Sequence, residues 1–110
     1  IPHEADMVFD LRFLPNPFYI DELRPQTGLD QGVADHALDN PAGRELLERL
    51  RGLMDFLLPH FVEEGKSALV IAIGCTGGRH RSVAVTHALT RYIQSLGYAA
   101  GETHRDMTRA

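Results

Sequence analysis

Cysteine occurs once in this sequence, lysine once, and no apolar run is long enough to cross a bilayer. Each scarcity closes off a class of explanation. Cys75 by itself cannot form an internal disulfide, so stability must come from packing, and a cysteine-based zinc site has too few ligands. The histidines, at positions 3, 36, 60, 80, 87 and 104, include no close helical pair of the kind that ligates a metal, so no metal site is expected. No stretch has the layout of a signal peptide, and a cytoplasmic protein with no membrane partner is expected. An initiator methionine is missing too. The chain opens Ile1-Pro2-His3-Glu4 and enters a strand almost at once, as a piece cut from a longer protein would.

What is present fits one compact domain over residues 1–110. Apolar residues make up 44% and charged residues 24%, a balance that argues against disorder. The formal net charge of −4 disfavours a domain that coats itself in nucleic acid. Basic residues are nonetheless uneven: Arg79, Arg81, Arg105 and Arg109 fall in two short segments near the C-terminus. A local basic face on an acidic domain therefore stays open.

Periodicity gives the elements. Met7 to Leu14 reads as a strand with one apolar face (Phe9, Leu11, Phe13), stopped by Pro15-Asn16-Pro17. Phe18 to Gly28 reads as an ordered, functional loop. Asp30 caps a short helix over Gln31 to Leu38, and Asn40 with Pro41 opens a longer one. Leu46, Leu47, Leu50, Leu53, Met54, Leu57, Leu58 and Phe61 give that helix its core stripe. Pro59 is expected to kink or end it, and Gly65 closes the region. Leu69 to Ile73 is an uninterrupted apolar run, as of a strand buried on both faces. Val83 to Leu96 reads as a helix ended by Gly97, and Tyr98 to Thr103 as a last strand. The order predicts an α/β fold with a small, mainly parallel sheet flanked by helices. Its strand ends share one edge, where Asn16, the turn after the second strand and His104-Arg105 converge.

That turn, Gly74-Cys75-Thr76-Gly77-Gly78-Arg79-His80-Arg81-Ser82, joins a strand to a helix and reads as a phosphate cradle. Free N–H groups at a helix start, glycines that let the backbone close in and two arginines around a histidine are the parts an anion site needs. Beside a purely structural glycine turn, two chemistries fit it. In one the turn only binds an anion. In the other Cys75 is a nucleophile, because cysteine, five residues, arginine and serine between a strand and a helix is also the pattern of cysteine-dependent phosphatases. Gly74 stands where those enzymes usually carry histidine, and no aspartate is placed by sequence as general acid. ATP binding within this domain is not expected, since neither the Walker motif nor the three-glycine dinucleotide fingerprint is present.

Several of these segments carry a resemblance that spans essentially the whole chain. Asp10-Leu11-Arg12-Phe13-Leu14-Pro15-Asn16-Pro17, Leu23-Arg24-Pro25, Thr27-Gly28-Leu29-Asp30, Glu64-Gly65-Lys66-Ser67, Ile73 to Val83 and His104-Arg105-Asp106 resemble the C-terminal domain of the RapZ/YvcJ family. These are bacterial RNase adapter or P-loop nucleotide-binding proteins. The resemblance implies a two-domain parent whose N-terminal part binds ATP or GTP, and a domain similar to a phosphofructokinase subdomain. It implies a non-catalytic regulatory sensor that binds a phosphorylated metabolite of the amino-sugar phosphate type, with RNA and a second copy of the chain as further partners and no cofactor in this domain. Carried across by motif, Thr76, Gly77 and Arg81 bind the ligand. Gly78, His80, Ser82 and Asn16 complete the expected site, and Arg79, His104 and Arg105 stand beside it as anion or RNA contacts. Phe18 departs from the histidine that follows Pro-Asn-Pro in the amino-sugar branch, and a phenyl ring can pack but not donate. The tail Asp106-Met107-Thr108-Arg109-Ala110 lacks the basic cluster of the RNA-binding branch, which reduces the counterion-release contribution to RNA affinity.

Overall fold

The computed structural model describes residues 5–15, 20–74 and 80–104. Two strands, β1 (Met7–Asp10) and β2 (Ile71–Gly74), form a parallel sheet, with Met7 opposite Ile71 and Asp10 opposite Gly74. Between them in sequence lie α1 (Gln31–Leu38) and α2 (Pro41–Glu64), and α3 (Arg81–Ser95) follows β2. The fold is α/β, as the sequence order predicts. One core joins the layers: Leu11, Leu14, Leu50, Met54, Leu58, Val85 and Leu89 pack together, with Phe9, Ile71 and Ile73 of the sheet against them. Val33 and Ala37 of α1 are fully buried, as are Val83 and Ala84 near the start of α3, the helix that α1 contacts.

The helix boundaries show their chemistry. Asn40 Oδ1 accepts from the Gly43 amide at 2.8 Å, while its Nδ2 donates to the carbonyls of His36 (3.2 Å) and Ala37 (2.9 Å). One side chain thus ends α1 and starts α2. Gly65 ends α2 in the left-handed region at φ 88°, and its N–H returns to the Val62 carbonyl.

Several expectations are corrected. β1 stops at Asp10, four residues short of Leu14, because the Arg12 amide and guanidinium fold back to donate to the Asp10 carboxylate. Past that turn Leu11 and Leu14 are both buried and Phe13 is 62% exposed, so the expected alternation fails there. Pro59 lies inside α2, which continues to Glu64. It sits on the solvent side of the helix, where water can satisfy the carbonyl it leaves without a donor. Asp30 occupies the N-cap position of α1, but its carboxylate accepts from the Thr27 amide (2.8 Å) and caps nothing in the helix. β2 starts at Ile71 and is half-buried, not enclosed on both faces, and the Val70 amide is held by the Asp6 carboxylate. α3 starts two residues earlier than expected, at Arg81.

The last strand does not form. Tyr98 to His104 makes no ladder with β2, although half-buried and exposed residues alternate along it as in extended chain. With two alanines and a glycine this segment has little to bury, and side chains take its polar groups instead: Gln94 Nε2 donates to the Ala100 carbonyl at 2.8 Å. The three-strand edge is therefore a two-strand edge plus an extended segment.

Candidate functional site

Helix α3 begins beyond the carboxyl end of β2, and its first turn carries three of the residues singled out by sequence. His80, Arg81 and Ser82 are all buried, 6%, 3% and 6% exposed. His80 gives the helix no side-chain cap. Its Nε2 lies 3.1 Å from the Arg24 carbonyl, and only a protonated ring nitrogen can make that bond, so Nε2 is the donor. The loop through Gly28 presses on the same turn. A methyl group on Gly28 would lie 2.2 Å from the Ala84 nitrogen and 2.3 Å from the His80 oxygen, so only glycine fits.

Arg81 is a buried cation fixed by the backbone. Its Nη1 donates to the carbonyls of Arg12 (2.5 Å) and Leu14 (3.1 Å), tying the segment after β1 to the start of α3. Its Nε is buried with no partner among the described residues. A charge of one sign, an unspent donor and a helix N-terminus of positive polarity are thus gathered at one strand end. Asp10 feels this charge. Its carboxyl is held below the ordinary range first by the side-chain hydrogen bonds of Arg12, then by the Arg12 amide, with the charge of Arg81 adding to them.

A second polar group faces the same region. Ser82, Thr86, Glu102 and His104 line one cleft of about 1410 Å³ with Asp10, Arg12 and Gly74, and Leu58, Leu69, Ile71, Leu89 and Ile93 give it apolar walls. Within it, the Glu102 carboxylate lies between two imidazoles: Oε1 is 2.6 Å from His104 Nε2 and 3.1 Å from His87 Nδ1. Burial pushes the Glu102 pKa up, but the hydrogen bonds of His104 and then His87, with their charges, outweigh it and leave the carboxyl below its usual value. His87 and Glu102 were missed by the sequence reading. The alternation along Tyr98 to His104, which puts Glu102 and His104 on one side, was the signal that could have found two of the three members of the cluster.

Among the expected site residues, the structure brings Ser82 and His104 to the common cleft and places His80 and Arg81 beneath the first turn of α3. Asn16, Cys75, Thr76, Gly77, Gly78, Arg79 and Arg105 lie outside the described residues. Among the described residues no group of histidine, cysteine, aspartate or glutamate side chains is arranged to hold a metal ion, and no helix is long and apolar enough to cross a membrane.

The sequence model of the RapZ C-terminal domain matches residues 1–108. The chain belongs to the RapZ C-terminal domain family. A nucleotide-binding protein of Caldanaerobacter subterraneus is 54% identical over 107 residues, which cover 97% of this chain and 38% of that protein. One from Syntrophotalea carbinolica is 53% identical over 109 residues, 99% of this chain and 38% of its own length. One from Symbiobacterium thermophilum is 51% identical over 106 residues, 96% of this chain and 35% of its own. The chain therefore spans less than two-fifths of the curated relatives it matches.

Proposed function

We propose that this RapZ C-terminal domain is a regulatory module that binds a phosphorylated small molecule at the start of α3 and acts without turning it over. The observation that carries this reading is Arg81: a guanidinium only 3% exposed, held by two backbone carbonyls, with Nε unspent, in the first turn of a fifteen-residue helix. A cation already desolvated and oriented loses little entropy when an anion arrives, and the helix terminus adds to its attraction. The expected ligand contacts are Thr76, Gly77, Gly78, Ser82 and Asn16, with Arg79, His104 and Arg105 at the rim. An amino-sugar phosphate is the ligand class implied by family, from whose histidine after Pro-Asn-Pro Phe18 departs; Phe18 lies outside the described residues. The partner that reads the bound state is the nucleotide-binding part of the same polypeptide, as the names of the relatives suggest.

Small anions fit better than RNA. Among the described residues, Arg12, Arg24, Arg44 and Arg49 each pair with a neighbouring carboxylate, which leaves them less to offer a phosphate backbone. Titration calorimetry with inorganic phosphate and sugar phosphates tests the reading. Arg81→Lys keeps a charge but loses the fork, and Thr76→Val leaves the buried tie of Arg81 untouched. Binding that both substitutions weaken at least tenfold supports the site; unchanged affinity in Thr76→Val and Arg81→Lys, or no binding by the parent, sinks it. Hydrolysis of an aryl phosphate that vanishes in Cys75→Ser would instead make the turn catalytic.

A further inference from the structure

One edge of β2 faces an open cleft. The amides of Met7 and Leu11 donate to the carbonyls of Val70 and Gly74, so the even-numbered residues of β2 face β1. Main-chain groups alternate along a strand, and Ile71 and Ile73 therefore turn their N–H and C=O groups to the opposite edge. Among the described residues no strand pairs with that edge. An edge left like this is a template for one more strand.

The topology says where such a strand comes from. α2 and α3 pack on one another and meet Phe9, Ile71 and Ile73 on one face of the sheet. Right-handed crossovers whose helices lie on the same face step in the same direction, so after β1 and β2 the chain leaving α3 returns beside the free edge of β2. Tyr98 to His104 is that chain. Half-buried and exposed residues alternate along it, and it lines the cleft of about 1410 Å³ together with Ile71, Ala72 and Ile73. Two contacts hold it to α3 in place of the sheet: Gln94 Nε2 donates to the Ala100 carbonyl at 2.8 Å, and His87 Nδ1 lies 3.1 Å from Glu102 Oε1. Gly97, at φ 96°, joins the segment to α3, and nothing lies within 4 Å of the place a Cβ on Gly97 or Gly101 would occupy. Glycine at both places leaves the segment free to swing.

We propose that Tyr98 to His104 is a closing strand: in a second state of the domain it leaves α3, pairs in parallel with the free edge of β2 and fills the cleft, and the ties from His87 and Gln94 set the balance between the two states. Closing gives the main-chain groups of Ile71 and Ile73 partners in the chain, whereas the open state keeps the side-chain ties. The segment carries Glu102 and His104, so closure also moves a carboxylate and an imidazole in the wall of the cleft that Asp10 and Gly74 share. Closure needs no ligand at α3.

Amide hydrogen exchange followed by NMR, with no ligand added, tests it. In the parent chain the Ile71 and Ile73 amides should exchange at least about tenfold faster than that of Ala72, which β1 holds. His87→Ala combined with Gln94→Ala cuts both ties and should slow Ile71 and Ile73 by about tenfold or more, with Ala72 little changed. Glu102→Ala cuts the His87 tie from the other side and should act in the same direction, so a fold defect in one variant, which would speed Ala72 as well, does not decide the result. Because N–H groups alternate, one of Ala99→Pro and Ala100→Pro removes a donor to β2, and in the cut background that one should restore fast exchange. Ile71 and Ile73 amides as slow as Ala72 in the parent overturn the proposal. So does exchange unchanged once the ties are cut, and so does slowing that neither proline reverses. Slowing that grows with protein concentration overturns it too, because a second chain then covers the edge.

Discussion

A methyl group on Gly28 would sit 2.2 Å from one backbone atom of α3 and 2.3 Å from another, and neither can swing aside as a side-chain end could. Gly28→Ala should therefore cost stability at the upper end of the overpacking range, about 3 kcal/mol, read from the urea midpoint. Arg81, in the first turn of α3, shows a limit of reading by motif: the sequence marks it as an anion ligand, but only folding reveals that two carbonyls, roughly seventy residues upstream, hold its guanidinium. Glu102 gives a pH prediction. Burial alone would raise its pKa, yet the bonds from His104 and His87 leave it lowered, so its contribution to stability is present above the ordinary carboxylate range and is lost as pH falls through its depressed value. Denaturation at a series of pH values should find the wild type more stable than Glu102→Gln at neutral pH, with the gap closing in acid. A gap that is constant with pH would remove this account.

At the scale of the element, α2 shows one local rule obeyed and another overridden. Asn40 and Pro41 stand where capping chemistry places them, and Asn40→Ala should cost about 1 kcal/mol because Gly43, His36 and Ala37 all lose a partner. Pro59 was expected to kink or end the helix, and the helix does not end there but runs on to Glu64. Leu58 and Phe61 on either side of it pack inward, which holds the turn in place while the proline faces solvent. Restoring the missing donor with Pro59→Ala should raise stability by about 1–3 kcal/mol, measured by thermal melting with the helical signal unchanged. β1 ends at Asp10 for the opposite reason: the Arg12 amide and guanidinium turn back to the Asp10 carboxylate, which takes the Arg12 N–H out of the ladder.

Over the whole molecule, one residue joins the layers. Met54 is fully buried in the cluster that links α2 to Leu11 and Leu14 beyond β1 and to Val85 and Leu89 of α3. Met54→Ala should cost about 2–5 kcal/mol, with sheet and helix signals lost in one transition. An unfolding that separated them would show that the layers do not share a core.

The sequence by itself determined the order of elements up to α3, a strand ending near Gly74 and a helix following it, the start of both interior helices, the close of α2 at Gly65 and the family. All of these rest on local chemistry, namely periodicity, capping, proline and glycine at fixed offsets, which the chain carries wherever it is. Tertiary structure decided where β1 ends, that Pro59 is tolerated, that Tyr98 to His104 lies extended without pairing, and that Arg81 is tied to the Arg12 and Leu14 carbonyls while Glu102 sits between His87 and His104. Those outcomes depend on which distant groups arrive within hydrogen-bond reach and on whether a backbone edge finds a partner, and neither is written in any one segment of the chain.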